Sequence, residues 1–188
     1  MVRQPQTASG PLSRWVDISS VTDGGTAFRI VTSDAEREAV AASCGLPGID
    51  ALGADFLVAR EGPNGARVTG SVKARVRRIC VVSLEEFEAD LDEPVEVRFA
   101  TEVEIEARTA ARAARLAQDE DEEDDLPDPI FRGRIDLGAL TAEILVLGLD
   151  PYPRKPGVTF AEAAASVADE SEASPFAMLR NLKSAGDA

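Results

Sequence analysis

Four basic side chains near the middle of the chain have the spacing of a binding surface. Lys73, Arg75 and Arg77 alternate with apolar residues, and Arg78 follows directly. Because successive side chains of a strand point to opposite faces, the first three cations share one face. Such a stripe can contact phosphate or an acidic partner. A solvated strand face balanced by neighbouring glutamates has the same pattern, and the sequence leaves both explanations open.

A second pair of cations, Arg154 and Lys155, lies in the segment DPYPRKPG at 150–157. Each proline fixes its own φ and biases the preceding residue towards an extended conformation. The segment is therefore predicted to be a rigid arm that carries two positive charges. Together with the four cations of the stripe, these two residues are the candidate partner-binding residues.

The residues that usually perform catalysis are poorly represented. The chain contains no histidine, which removes the commonest general base and the usual partner of a nucleophilic Ser or Cys. Asp136, Glu143 and Asp150 recur every seven residues and would share a helix face, but paired carboxylates also need a cleft. We predict that the protein is not an enzyme and has no catalytic residues.

Two cysteines, Cys44 and Cys80, have no companions at ligand spacing, so neither a disulfide framework nor a zinc site is predicted. Cys80 could be a thiolate activated by the neighbouring arginines or a small buried core residue. Without a base or a resolving thiol, the core role is favoured. We predict no metal and no cofactor.

The charge of the chain favours a basic partner. The net charge is −14, and an unbroken acidic run at 119–125 supplies seven negative charges. Such a surface repels the phosphates of nucleic acids and attracts basic proteins. The run itself is either a mimic of phosphate or a solubilising loop. No apolar run approaches the roughly 20 residues of a membrane span, and the start lacks the apolar core of a signal peptide, so a cytoplasmic protein without membrane contact is expected.

Periodicity and turn signals predict both helices and strands. The spacing of Ser33 and Glu36 is typical of a capping box and predicts a helix that Gly45 ends. Asp136 is a candidate N-cap of a second helix. If an acidic strand lies beside the basic one, cross-strand ion pairs would contribute about 0.2 to 1 kcal/mol each. The predicted strands are 12–18, 27–31, a hairpin of 49–61 and 66–79, and an acidic strand at 95–106.

These elements predict an α+β domain. We expect a largely antiparallel sheet, built from the strands at 12–31 and 49–106, with two main helices near 34–44 and 136–149 packed on it and a disordered acidic insertion. A curled, barrel-like sheet is an alternative. The whole chain, 1–188, is predicted to be a single domain. Its flexible segments are expected near 1–11, 107–128 and 161–174.

Three blocks of the sequence carry a family resemblance. They are CVVSLEEFEADLDEPVEVRFA from Cys80, GRIDLGALTAEILVLGLDPYP from Gly133, and PFAMLRNLK from Pro175. In this order, with an acidic linker before the second, they resemble the YceD family, long catalogued as a domain of unknown function and linked to accumulation of large-subunit (23S) ribosomal RNA. Many members carry a CxxC pair in the first block and are described as metal-binding. Here the second position is Ser83, so the metal role does not carry over.

The resemblance implies a non-enzymatic factor in bacterial ribosome assembly. In that role the chain would bind a basic large-subunit ribosomal protein or a pre-50S particle, which agrees with its acidic charge. The alternative is a direct RNA-binding module that uses the basic strand face, with RNA otherwise a secondary partner. Steep salt dependence of binding to isolated RNA would distinguish the second hypothesis from the first.

Overall fold

The computed structural model describes residues 10–22, 24–63, 65–116 and 125–159. These residues form two compact units: the first contains those up to Arg78 and from Glu88 to Pro151, and the second contains Ile79–Phe87 and residues 152–159. The single-domain organisation stays a prediction. The elements in chain order are β1 (Trp15–Asp17), a 3₁₀ turn (Ile18–Ser20), β2 (Thr26–Val31), α1 (Asp34–Cys44), β3 (Gly48–Glu61), β4 (Gly65–Ile79), β5 (Glu86–Ala100), α2 (Glu102–Leu116), β6 (Asp128–Pro129), β7 (Arg134–Asp136) and α3 (Leu137–Leu147).

Five strands form one sheet in the order β2-β3-β4-β5-β6. The pairs β2-β3 and β3-β4 are antiparallel, and the short β6 is parallel to β5. The α+β class and the mostly antiparallel sheet are confirmed. Among the described strands the sheet ends at β2 and β6 and does not close, so the barrel-like alternative is not supported. The predicted strand at 12–18 shortens to β1 and joins β7 in a separate two-stranded sheet.

The long hairpin of β3 and β4 supplies much of the hydrophobic core. Along β4, Val68, Val72 and Val76 are buried, whereas Lys73 and Arg75 between them are exposed. The apolar face packs in one cluster with buried residues of α1 and α3. Each fully buried valine or leucine contributes about 1.5 to 3 kcal/mol. The period-two pattern in the sequence therefore predicts correctly which face of β4 is exposed.

Helix α1 has the predicted start and end. The Ser33 side chain accepts a hydrogen bond from the Glu36 backbone N–H, and the Glu36 carboxylate accepts one from the Ser33 N–H at 2.9 Å. Gly45 ends the helix in the left-handed conformation, with φ of 65°, which glycine adopts without a steric penalty. The predicted capping box is confirmed.

Helix α3 begins as predicted at the N-cap Asp136, whose carboxylate accepts hydrogen bonds from the first turn. Its second residue, Gly138, lies so close to the backbone of Ser13 that an added Cβ would be 2.7 Å from it. Glycine is therefore required where this helix packs on the chain before β1. The predicted apolar surface is buried in part: Leu140 lies in the core, but Leu147 is 73% exposed.

The predicted acidic strand at 95–106 is wrong beyond Ala100, because α2 begins at Glu102. Val-Glu-Ile-Glu at 103–106 alternates like a strand, but a sequence rich in Ala, Glu and Arg also favours a helix. The ion pair between Glu104 and Arg108, at 2.8 Å, has the i,i+4 spacing that stabilises helices. The described part of the chain thus contains three α-helices, where two main helices were predicted, and residues 107–116 of the predicted flexible segment are helical.

Several predictions fall on residues that the structure does not describe. They are the flexible segments at 1–9 and 161–174, the acidic run except Asp125, and the block PFAMLRNLK at 175–183. None of the described helices combines the length and the apolar character needed to cross a membrane.

Candidate functional site

Three cations of the basic stripe, Lys73, Arg75 and Arg77, lie on the outward face of β4, where each is close to a carboxylate. Lys73 Nζ lies 3.1 Å from Asp92, and Arg75 donates to Asp90 at 2.8 Å. Both acids belong to β5, which follows β4 in the sheet. The sequence left open whether an acidic strand lies beside the basic one. The structure shows that it does, and cross-strand ion pairs form.

The other two cations of the stripe also have partners, one a carboxylate and the other a backbone carbonyl. Arg77 Nε lies 3.4 Å from Asp50. The Arg78 guanidinium donates to the backbone carbonyl of Asp150. The four cations therefore do not project as unpaired charges from the sheet.

The ion pair with Arg75 also changes the titration of Asp90. The hydrogen bond and the charge of Arg75 hold the pKa of Asp90 below its ordinary value. Asp90 therefore stays ionised over a wider pH range than an isolated aspartate. Since Lys73, Arg75 and Arg77 each lie beside a carboxylate, the positive charge of this face is largely compensated.

The same face contains an open groove of about 730 Å³. Its lining includes the small residues Ala51, Gly53 and Ser71, together with exposed acids and bases from β2 to β5. Val31 adds an apolar side chain that is 69% exposed. The groove can therefore accept long side chains between its charged residues.

Sequence reasoning missed Asp90 and Asp92 as the partners of the stripe, because it began the acidic strand at 95. The signal was present: acids occupy alternate positions from Glu86 to Asp92. The exposed proline that follows, Pro94, interrupts the alternation without ending β5.

Arg154 and Lys155 lie in the second unit, where they differ in their contacts. Lys155 Nζ forms an ion pair with Glu85 at 2.7 Å, and this contact lowers the pKa of Glu85. Arg154 is exposed. The proline-rich segment is fixed by a hydrogen bond of 2.9 Å from the Val81 N–H to the Pro153 carbonyl. The predicted pair of presented charges is thus reduced to Arg154.

Cys80 is fully buried in the second unit, and its sulfur accepts hydrogen bonds. The backbone N–H groups of Val82, Ser83 and Lys155 each donate to its Sγ at 3.4 Å. The Ser83 side chain, followed by these N–H groups, lowers the pKa of Cys80 to about 6. The thiol therefore ionises near neutral pH, which the interpretation as an inert core residue did not anticipate.

The loop around Cys80 resembles half of a metal site, but the donor set does not fit a metal. A zinc site needs about four N or S ligands. The chain has two cysteines and no histidine, and a neutral hydroxyl, that of Ser83, stands where a second thiolate would be. Among the described residues, no group of three or more His, Cys, Asp or Glu side chains is arranged to hold a metal ion.

Comparison with known proteins gives one match. No curated protein and no solved structure matches the chain. A family model matches residues 68–183, and its description is large ribosomal RNA subunit accumulation protein YceD. The match includes the blocks that start at Cys80, Gly133 and Pro175. The family name implies a role in the accumulation of large-subunit ribosomal RNA. Because the match covers more than half of the sequence, the chain belongs to the YceD family.

Proposed function

We propose that this protein is a non-enzymatic assembly factor that supports accumulation of large-subunit ribosomal RNA by binding a basic ribosomal protein or a pre-50S particle. The observation that carries the proposal is the family match over residues 68–183. The absence of histidine from the whole chain supports a role without catalysis. We expect the protein to act in the cytoplasm, where ribosomes assemble.

The outward sheet face is the proposed docking surface for the basic partner. Asp55, Asp90 and Asp92 are all more than 60% exposed there. Their present partners are surface cations, and exposed ion pairs contribute about 0 to 1 kcal/mol. A lysine or arginine of the partner can therefore replace an internal cation at little cost. The small residues that line the groove leave space for such long side chains.

Direct RNA binding through the basic stripe is less favoured. Lys73 and Arg75 each have a carboxylate within 3.1 Å, and the charges of Glu88 and Asp50 also act on Arg75. The surroundings of the stripe therefore attract a basic group more than a phosphate. The RNA-binding alternative is consequently not assigned to this face.

A co-sedimentation experiment tests the proposal. The tagged full-length chain is expressed in cells whose own copy has been deleted, and lysates are separated on a sucrose gradient. We expect the protein in the pre-50S fractions, together with a lower ratio of large- to small-subunit ribosomal RNA in the uncomplemented deletion strain. An unchanged ratio, with the protein confined to the top of the gradient, would overturn the proposal.

Charge-neutralising variants locate the docking surface. The tagged chain is used to capture basic large-subunit ribosomal proteins from a lysate treated with ribonuclease. Asp90→Asn combined with Asp92→Asn is expected to lower the amount captured. The matched control is Glu38→Gln combined with Glu143→Gln, which removes two exposed carboxylates from α1 and α3. Equal capture by both double variants would exclude the sheet face as the docking surface.

A further inference from the structure

Two aromatic rings and two arginines form a surface cluster that the proposed function does not use. Trp15 in β1 and Phe131 have ring centroids 6.1 Å apart and planes inclined at 46°. The guanidinium carbon of Arg134 lies 5.2 Å from the Trp15 ring centroid, and that of Arg132 lies 5.2 Å from the Phe131 centroid. We call these four residues the aromatic–arginine patch.

The fold holds the patch in a defined geometry. The residues 131–134 form a tight turn, closed by reciprocal backbone hydrogen bonds of 2.9 and 3.0 Å between Phe131 and Arg134. The turn is anchored by the Ile18 N–H, which donates to the Gly133 carbonyl at 3.0 Å. Arg132 and Gly133 both have positive φ, 50° and 76°. Asn or Gly would occupy the Arg132 position at lower cost, so the turn accepts a strained backbone and places a cation over a ring.

The charges of the patch arginines are not taken up by ion pairs with described residues. Arg132 and Arg134 are exposed, and neither forms an ion pair with a residue in the described part of the chain. The nearest acid across the strand pair is Asp17, opposite Arg134. Its pKa is lowered mainly by hydrogen bonds from the Ser19 hydroxyl and N–H, and to a lesser extent by the charge of Arg134. The Asp17 carboxylate thus accepts its hydrogen bonds from Ser19, and the exposed Arg134 guanidinium remains accessible to a ligand.

A planar cation close to an exposed ring is suited to nucleobases. Bases stack on aromatic rings and on guanidinium planes, and the same arginines pair with phosphate. Trp15 is 42% exposed, so part of its side chain is accessible. An acidic peptide would use the two charges but not the rings. A duplex would offer phosphates, but its stacked bases would not reach the rings.

We propose that the aromatic–arginine patch binds single-stranded RNA, with one or two bases stacked against Trp15 and Phe131 and the neighbouring phosphates paired with Arg132 and Arg134. The site takes unpaired RNA of any sequence, because stacking reads no base identity. The identification of this RNA with unpaired segments of large-subunit precursors rests on the proposed function. The patch is separate from the sheet face, and Trp15 lies outside the residues that match the family model.

The composition of the chain provides a direct probe, because Trp15 is its one tryptophan. Selective excitation of tryptophan in the full chain therefore reports the patch itself. The titrant is an oligouridylate of about ten nucleotides, the size of one single-strand binding site. We expect saturable quenching by this RNA, a much weaker response to a duplex of equal length, and none to polyglutamate. No response to oligouridylate, or an equal response to polyglutamate, would overturn the proposal.

Matched charge variants separate the patch from general electrostatics. Arg132→Gln combined with Arg134→Gln is expected to weaken binding of fluorescein-labelled oligouridylate about tenfold or more, measured by anisotropy. The control, Lys73→Gln combined with Arg75→Gln, removes two charges from the sheet face and should leave the affinity within about twofold. Circular dichroism and thermal melting verify that both variants are folded. Equal weakening in both variants would contradict a specific patch.

The result is distinguishable from failure of the proposed function. A chain that enters pre-50S fractions but does not bind oligouridylate overturns this inference and leaves the assembly role intact. A chain that binds oligouridylate through the patch but leaves the ribosomal RNA ratio unchanged supports the inference and overturns the assembly role.

Discussion

The outward sheet face and the aromatic–arginine patch both present arginines, but the two regions use them differently. On the sheet, the cations Lys73 and Arg75 face the carboxylates Asp92 and Asp90. On the patch, Arg132 and Arg134 face aromatic rings. A ring attracts a cation without neutralising it, whereas a carboxylate cancels its charge. The less obvious pair of arginines is therefore the better candidate for contact with RNA.

The charge of the chain is also unevenly distributed along the sequence. Of its 34 acidic and 20 basic residues, the described ranges contain 22 and 17. The described part is thus much closer to neutral than the net charge of −14 indicates, and most of the acidic excess lies outside it. Exposed charges farther away than about 10 Å are largely screened at 0.1 M ionic strength, so the charges close to a site influence RNA binding more than the net charge of the chain does.

The largest expected effect is a loss of stability when the hydrogen bonds of Asp136, which hold the chain beside the patch, are removed. The Asp136 carboxylate accepts hydrogen bonds from the Ser13 hydroxyl and the Arg14 N–H, both at 2.6 Å, and it caps α3. Asp136→Ala should lower the free energy of unfolding by about 2 to 3 kcal/mol, measured by urea denaturation. On the sheet face, Asp92→Ala should cost less than about 1 kcal/mol. If the two variants lost equal unfolding free energy, the carboxylates of the two regions would contribute equally to the stability of the fold.

The second prediction separates ring from charge within the patch. Trp15→Leu keeps an apolar side chain but removes the stacking surface, so affinity for oligouridylate should fall about tenfold, or about 1.4 kcal/mol. The dependence of affinity on salt should not change, because no cation is lost. In the Arg132→Gln and Arg134→Gln double variant, the slope of log affinity against log salt should decrease by about 1.4. A changed slope in Trp15→Leu would assign the effect to altered charge.

The third prediction measures the compensation on the sheet. A double-mutant cycle of Lys73→Gln and Asp92→Asn should give a coupling of about 0.2 to 1 kcal/mol at low salt, because both side chains are well exposed. The coupling should approach zero at 1 M salt, where screening is strong. A cycle between Lys73→Gln and Glu143→Gln serves as the control and should show no coupling. A value above 2 kcal/mol would make these pairs structural and unsuitable for exchange with a partner.

The sequence predicted those elements whose signals are local. The capping box of Ser33 and Glu36 and the N-cap Asp136 each lie within a few residues of the helix that they start, so their chemistry is readable without a fold. The alternation along β4 likewise predicted which side chains are exposed. The short strand-like pattern at 103–106 was misleading, because four residues fit either period and the helix is stabilised by later residues.

The candidate site was harder to predict, since its contacts join distant parts of the chain. Trp15 and Phe131 meet through the pairing of β1 with β7, and no local pattern links them. The turn at 131–134 had one readable signal, an Arg-Gly pair at positions that prefer Asn-Gly. Conversely, the alternation of basic residues along β4 was visible in the sequence. Whether acids compensate these charges depends on the register of β4 against β5, which the sequence does not show. Sequence periodicity therefore indicates where charges lie and not whether they are paired.

The smallest effect is a change in the pKa of single carboxyl groups. Arg75 lowers the pKa of Asp90, so Asp90 stabilises the fold above the ordinary pKa, and this stabilisation is lost as the pH falls through the lowered value. Arg75→Gln should raise the pKa of Asp90 towards its ordinary value, as seen in the carboxyl carbon shifts of an NMR titration. Arg134→Gln should leave Asp90 unchanged and raise the pKa of Asp17 less, because Ser19 contributes most of that shift. If Arg134→Gln moved Asp17 as far as Arg75→Gln moved Asp90, then Arg134 would already be compensated by a carboxylate, and the distinction between the two regions would fail.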